Sequence, residues 1–181
     1  MYFNQKIKDN LLVSILFLIL LIIGLKSFQD YGISLDENFH RESGQLYYGY
    51  LKEVLFQSSS NNYSVTEMRQ LTQGSVLFKM PAIFDVFNEF LIDFFSVKDS
   101  QTVFYLRHFV NFAIFLVGCF YFFLIIIKVT NKKFYGLLGL SFLFFYPRIF
   151  GESFYNNKDL IFLSVSIILL YYSLQFLDKL T

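Results

Sequence analysis

Apolar residues along this chain gather into four long runs separated by polar breaks. The first, 11–25, is interrupted only by Ser14, and with 26–28 added it reaches across a bilayer core of about 30 Å while the Lys26 ammonium stretches to the interface. The second, 109–127, holds no charge and one strongly polar residue, Asn111. The third, 134–146, is short for a crossing, which predicts a helix starting in the basic cluster ahead of it and running into Pro147. The fourth, 160–177, is broken only by Ser164, Ser166, Ser173 and Gln175. The pattern predicts an all-α membrane protein with four transmembrane helices at about 11–28, 107–128, 132–147 and 159–178, joined by a long loop over 29–106. A basic start before an apolar run is also the shape of a secretory signal, but no small-x-small site follows it, so the first helix reads as uncleaved.

The long loop has periodicity of its own. Residues 36–57 are helical in character: Glu37 and Arg41 stand four apart in the favourable order for an ion pair, Asp36 and His40 share a face, and Ser34 or Asp36 supplies an N-cap. Residues 58–64 are small and polar and predict a turn. Over 76–97, Asp85, Asn88, Glu89 and Asp93 form one helical stripe, with Phe84, Phe87, Phe90, Leu91, Phe94 and Phe95 filling the rest. That pattern fits an amphipathic juxtamembrane helix in the membrane interface, or one packed against the protein's own transmembrane bundle.

Composition supports the membrane reading. The chain is 55% hydrophobic, 22% aromatic and 16% charged, against about 25% charged residues in a soluble domain. A net charge of +1 offers no basic field for nucleic acid, and the single cysteine, Cys119, permits no intrachain disulfide. Lys6 and Lys8 precede the first run, Lys128, Lys132 and Lys133 lie between the second and third, and Lys179 follows the fourth. With four crossings these all share a face, which the positive-inside rule makes cytoplasmic, together with the N-terminus. The loop 29–106 and the segment 147–159 then share the extracytoplasmic, periplasmic side.

Two polar stretches on that outer side carry the candidate chemistry. One is Asp36-Glu37-Asn38-Phe39-His40-Arg41; the other runs from Pro147 through Arg148, Glu152, Asn156, Asn157 and Lys158 to Asp159. Ionisable groups held beside hydrocarbon are costly and call for a functional explanation. A carboxylate can take the proton of an acceptor hydroxyl, and cations can stabilise a departing phosphate. Asp36, Glu37 and Asp159 are the candidate catalytic acids. Arg148, Lys158, Glu152, Asn157, His40 and Arg41 are the candidate substrate-binding groups, arginine being the better bidentate phosphate ligand. His40 with Asp36 offers two metal ligands, fewer than a divalent site needs; a divalent metal stays open as a cofactor. Pro147 and Gly151 read as shape residues of a tight loop.

Ser34-Leu35-Asp36-Glu37 after a first helix, followed by Pro147-Arg148-Ile149-Phe150-Gly151-Glu152-Ser153-Phe154-Tyr155-Asn156-Asn157-Lys158-Asp159 between later helices, resembles the N-terminal portion of the GT-C membrane glycosyltransferases. The nearest likeness is to family 39, the dolichyl-phosphate-mannose protein mannosyltransferase-like enzymes and their bacterial relatives. The resemblance implies a hexosyltransferase of a bacterial inner membrane that moves a sugar from a polyprenyl-phosphate carrier to an acceptor hydroxyl, as in protein glycosylation. It implies that Asp36 is the outer-loop aspartate acting as base or acceptor-orienting group, Glu37 its acidic neighbour, and Asp159 the second acidic site. Family members carry many more helices, so the likeness places 1–181 as a single incomplete GT-C-like region that is inactive alone if later helices complete the carrier groove. The alternative is a non-catalytic four-helix partner subunit or small transporter, for which Asn111, Ser141, Ser164 and Ser166 are a thin set of intramembrane polar groups.

Overall fold

The computed structural model describes residues 2–56 and 83–180, with side chains from 11–55 and 83–180. The expected turn at 58–64, the start of the helix expected over 76–97, and the side chains of Lys6 and Lys8 lie outside the described residues. Among the described residues the fold is all-helical, with no strand. The helices are α1 (Tyr2–Ser27), α2 (Glu37–Phe56), α3 (Ile83–Phe94), α4 (Ser100–Thr130), α5 (Lys133–Phe145), α6 (Pro147–Tyr155) and α7 (Asp159–Leu177). The chain forms two compact units: Met1–Gly32 with His108–Thr181, and Ile33–Arg107.

The first unit is a helical bundle whose directions follow from its contacts. Phe17 meets Phe120 and Phe123, and Phe28 meets Phe109, so α1 runs antiparallel to α4. Gly136 lies against Phe123 and Ile127 while Phe144 packs on Phe112 and Phe115, so α5 is antiparallel to α4 as well. Gly118 meets Ser164, the Tyr121 and Tyr172 hydroxyls are 3.0 Å apart, and Lys128 pairs with Asp178, which makes α7 parallel to α4. Lys128, Lys132, Lys133 and Lys179 therefore gather at one end of the bundle, and the chain around 28–31 and 147–159 gathers at the other.

Length and apolarity qualify α4 and α7 as membrane-crossing helices. α5 and α6 together make a third only as a bent pair, broken by 64°. α5 has 13 residues and spans about 20 Å, well short of a hydrocarbon core. The apolar stretch of α1, Leu11–Ser27, falls below the same length. Two boundaries differ from expectation. The helix expected from 107 starts at Ser100, because Asp99 caps it: Asp99 Oδ2 accepts from the Thr102 N–H and hydroxyl, each at 2.8 Å. The segment after Pro147 is also no loop. Tyr146 is extended (φ −67°, ψ 115°), as a residue before proline prefers, and Pro147 then opens α6 at its first turn, where its missing N–H is no loss. Gly151 is a helical residue of α6, not the pivot of a turn.

The core of this unit is aromatic. Phe154 of α6 is fully buried and stacks on Phe112 of α4 with centroids 5.2 Å apart and on Tyr31 at 4.6 Å, while Phe150 meets it edge-on at 5.2 Å. Gly24 of α1 sits on this stack. A Cβ there would lie 2.0–2.6 Å from the Phe112 ring, and the stacked ring has nowhere to retreat. Gly24→Ala is therefore expected to lower stability by about 1–3 kcal/mol through overpacking. At Gly32 an added Cβ meets nothing within 4 Å, so Gly32→Ala should change little. Thermal unfolding of both variants in detergent checks the contrast.

The second unit places α2 against α3. Gly44 lies so close to the α3 backbone that an added Cβ would be 2.8 Å from the Asp85 carbonyl oxygen. The polar stripe of α3 points inward: Asp85, Asn88 and Glu89 are buried, whereas Phe87, Phe90, Phe94 and Phe95 are exposed. Asp93, the fourth position of the expected stripe, is exposed instead and accepts from Lys52 Nζ at 3.0 Å and the Tyr48 hydroxyl at 2.9 Å.

Candidate functional site

The candidate residues divide between the two units, and each unit holds a polar centre. In the second unit, Ser34 and Glu37 stand at capping-box spacing. The Ser34 N–H donates to Glu37 Oε2 at 2.9 Å, and the Glu37 N–H donates to the Ser34 carbonyl at 3.2 Å. Glu37 is 1% exposed, and its carboxylate accepts at the start of α2. Asp36, beside it, is exposed. The two expected partner acids thus have different surroundings.

Behind this turn lies a buried charge cluster. Arg107 Nη2 donates to Asp85 Oδ1 at 2.7 Å, and Asp85 Oδ2 is 3.1 Å from His40 Nδ1. Arg107 Nη1 is 3.5 Å from Glu89 Oε1, too long for a good hydrogen bond. Arg41 lies over the Phe104 ring at 5.4 Å, with its buried Nε lacking a hydrogen-bond partner. At 1% exposure Arg107, which the sequence does not single out as a site residue, is the counter-ion of the α3 stripe. The sequence signal was present, since a stripe of carboxylates on a phenylalanine-rich helix needs a cation if it faces protein.

Glu89 is held above the ordinary carboxyl range, chiefly by burial, with Arg107 and Arg41 opposing the shift. A carboxyl raised in the folded state contributes stability below its unfolded value, and that contribution is lost as pH rises through the folded value. Glu89→Gln is expected to flatten this decline in the second unit as pH rises above the ordinary carboxyl range. Amide exchange of α3 measured over that rise checks it.

The first unit carries the other candidates at the end of the bundle opposite the lysines. Arg148 Nε donates to Glu152 Oε1 at 2.8 Å, and Asn156 Nδ2 bridges Glu152 Oε2 at 3.3 Å and Asp159 Oδ2 at 3.1 Å. Asn156 Oδ1 accepts from the backbone N–H of Asp159 at 2.9 Å and of Lys158 at 3.3 Å, which sets the first turn of α7. Arg148, Glu152 and Asp159 are thus joined through Asn156. Lys158 is exposed and Asn157 buried. Asn111, read only as a lone polar residue, donates from Nδ2 to the Phe154 carbonyl at 2.7 Å and ties α4 to the end of α6. His108 lies with Nδ1 3.3 Å from the Phe28 carbonyl at the end of α1.

Among the described residues no group of three or more His, Cys, Asp or Glu side chains is placed to hold a metal ion, and no metal is assigned. Comparisons with family models, curated proteins and solved structures found no match to this chain.

Proposed function

We propose that this chain is the N-terminal portion of an integral-membrane glycosyltransferase that takes a sugar from a polyprenyl-phosphate carrier and passes it to an acceptor hydroxyl on the outer face. The observation that carries this reading is Asp36, an exposed carboxylate on a turn whose other acid, Glu37, is withdrawn into the helix start. A general base needs a carboxylate free to meet a hydroxyl, held on a rigid support. The exposed phenylalanines of α3 suit a support that lies in the membrane interface beside a lipid-linked donor. In this reading Asp159 is the second acidic group, and Arg148, at 80% side-chain exposure, and Lys158 meet the carrier phosphate. The lysine-rich end of the bundle faces the cytoplasm, with α1, α4, the bent pair and α7 as the four crossings.

A second reading has its own support. Phe162 and Leu169 of α7 are 75% and 62% exposed, a surface that lipid, later helices of the same protein or a partner membrane chain could cover. The test supplies membranes bearing the full reading frame with a labelled polyprenyl-phosphate sugar and follows label into the acceptor fraction. Transfer that Asp159→Asn abolishes, with insertion intact, supports the glycosyltransferase. Absence of transfer by every form, with a second membrane chain co-purifying in fixed ratio, favours the partner subunit.

A further inference from the structure

We propose that Arg107, Asp85 and His40 are positioning residues that fix the turn carrying Asp36, an inference that rests on the reading of Asp36 as the base. The contacts form an unbroken chain. Arg107, fixed on the long helix α4, holds Asp85 Oδ1 at 2.7 Å, and the other Asp85 oxygen faces His40 Nδ1 at 3.1 Å. The His40 backbone N–H donates to the Asp36 carbonyl at 3.0 Å. Asp36 precedes α2 by a single residue, so a rotation or slide of α2 against α3 moves its carboxylate. Two features resist that motion: the close approach of Gly44 to the Asp85 backbone, and the imidazole–carboxylate contact one turn beyond Asp36.

The arrangement is more than generic packing. Asp85, Arg107 and Glu37 are 4%, 1% and 1% exposed, whereas Asp36 projects from the same turn into solvent. An anionic Asp85 held by Arg107 requires the proton on His40 Nδ1, which fixes the ring's tautomer and its orientation. The α2 entry is therefore clamped from inside by charge.

The test uses the full chain in lipid nanodiscs with the labelled polyprenyl-phosphate sugar and compares His40→Leu with His40→Asn, whose amide nitrogen falls near the place of Nδ1. His40→Leu is expected to lower kcat by about 100-fold, the order of effect of a misplacement near 1 Å, with KM for the donor unchanged. It should also speed amide exchange at 34–40 while the middle of α2 stays protected. His40→Asn should restore most of both. Unchanged exchange at 34–40 in His40→Leu overturns the proposal. So does a parallel loss of kcat and KM, with exchange rising evenly over α2 and α3 and no rescue by asparagine. If His40→Leu does not fold, Asp85→Asn carries the same comparison, since it keeps shape while losing the charge that orients the ring. Wild-type protein that transfers no sugar overturns the role of Asp36, whereas the exchange result reports separately on whether the chain fixes the turn.

Discussion

Replacing Arg107 with alanine is expected to unfold the Ile33–Arg107 unit, at a cost of about 3–5 kcal/mol. The magnitude follows from what is left behind. Asp85 and Glu89 are 4% and 6% exposed, and without the guanidinium they lose their shared counter-ion while facing each other's charge. Buried carboxylates that lose a counter-ion keep the cost of lost hydration with less to offset it. The same removal at the surface is far milder: Arg148 pairs with Glu152 at 2.8 Å, but at 80% side-chain exposure the pair is screened by water and Arg148→Ala should leave stability nearly unchanged. A triple variant, Arg107→Met with Asp85→Asn and Glu89→Gln, should recover most of the loss, because an uncharged replacement of a buried network is often neutral. Amide exchange of α3 and limited proteolysis of the unit measure the Arg107→Ala and triple variants, and amide exchange of α6 measures Arg148→Ala. Equal effects of the two arginine-to-alanine changes would show that the buried cluster holds nothing together.

The contrast bears on what the sequence could reveal. The stripe of Asp85, Asn88 and Glu89 was legible as a helical period, but a period fixes only that the polar positions share a side. Which side faces protein depends on Arg107, 22 positions beyond Asp85 and across a break between helices. The helices of the bundle were legible for the opposite reason: the apolar runs are local signals, and α1, α4, α5 and α7 follow them. Pro147 was correctly seen as a break. That it also begins α6 was not, because proline ends one helix and suits the first turn of the next equally well. Asn111 was visible as a polar residue in an apolar run, but its partner is the Phe154 backbone carbonyl, which no side-chain pattern announces. A buried asparagine demands some partner on energetic grounds, and that demand was the available signal.

The pair Asp36-Glu37 puts the functional reading to its sharpest test, because the two acids are adjacent and their surroundings assign them different work. Asp36→Asn removes one charge from an exposed side chain and leaves the helix start intact, so folding and insertion should be unaffected. If Asp36 takes the acceptor proton, the amide cannot, and sugar transfer should fall by about 10²–10⁴-fold. Glu37→Gln should behave in the reverse way. Glutamine still accepts the Ser34 N–H as the far partner of a capping box, so transfer should fall only slightly. Glu37→Ala removes that acceptor, and the turn should lose about 1 kcal/mol and fray, lowering transfer indirectly. Transfer rates, set beside amide exchange at 34–40, separate the cases: Asp36→Asn should lose rate with exchange unchanged, and Glu37→Ala should show both changes. Asp36→Asn that transfers sugar at the wild-type rate would remove Asp36 as the base and leave Asp159, exposed at the first turn of α7, as the remaining candidate acid.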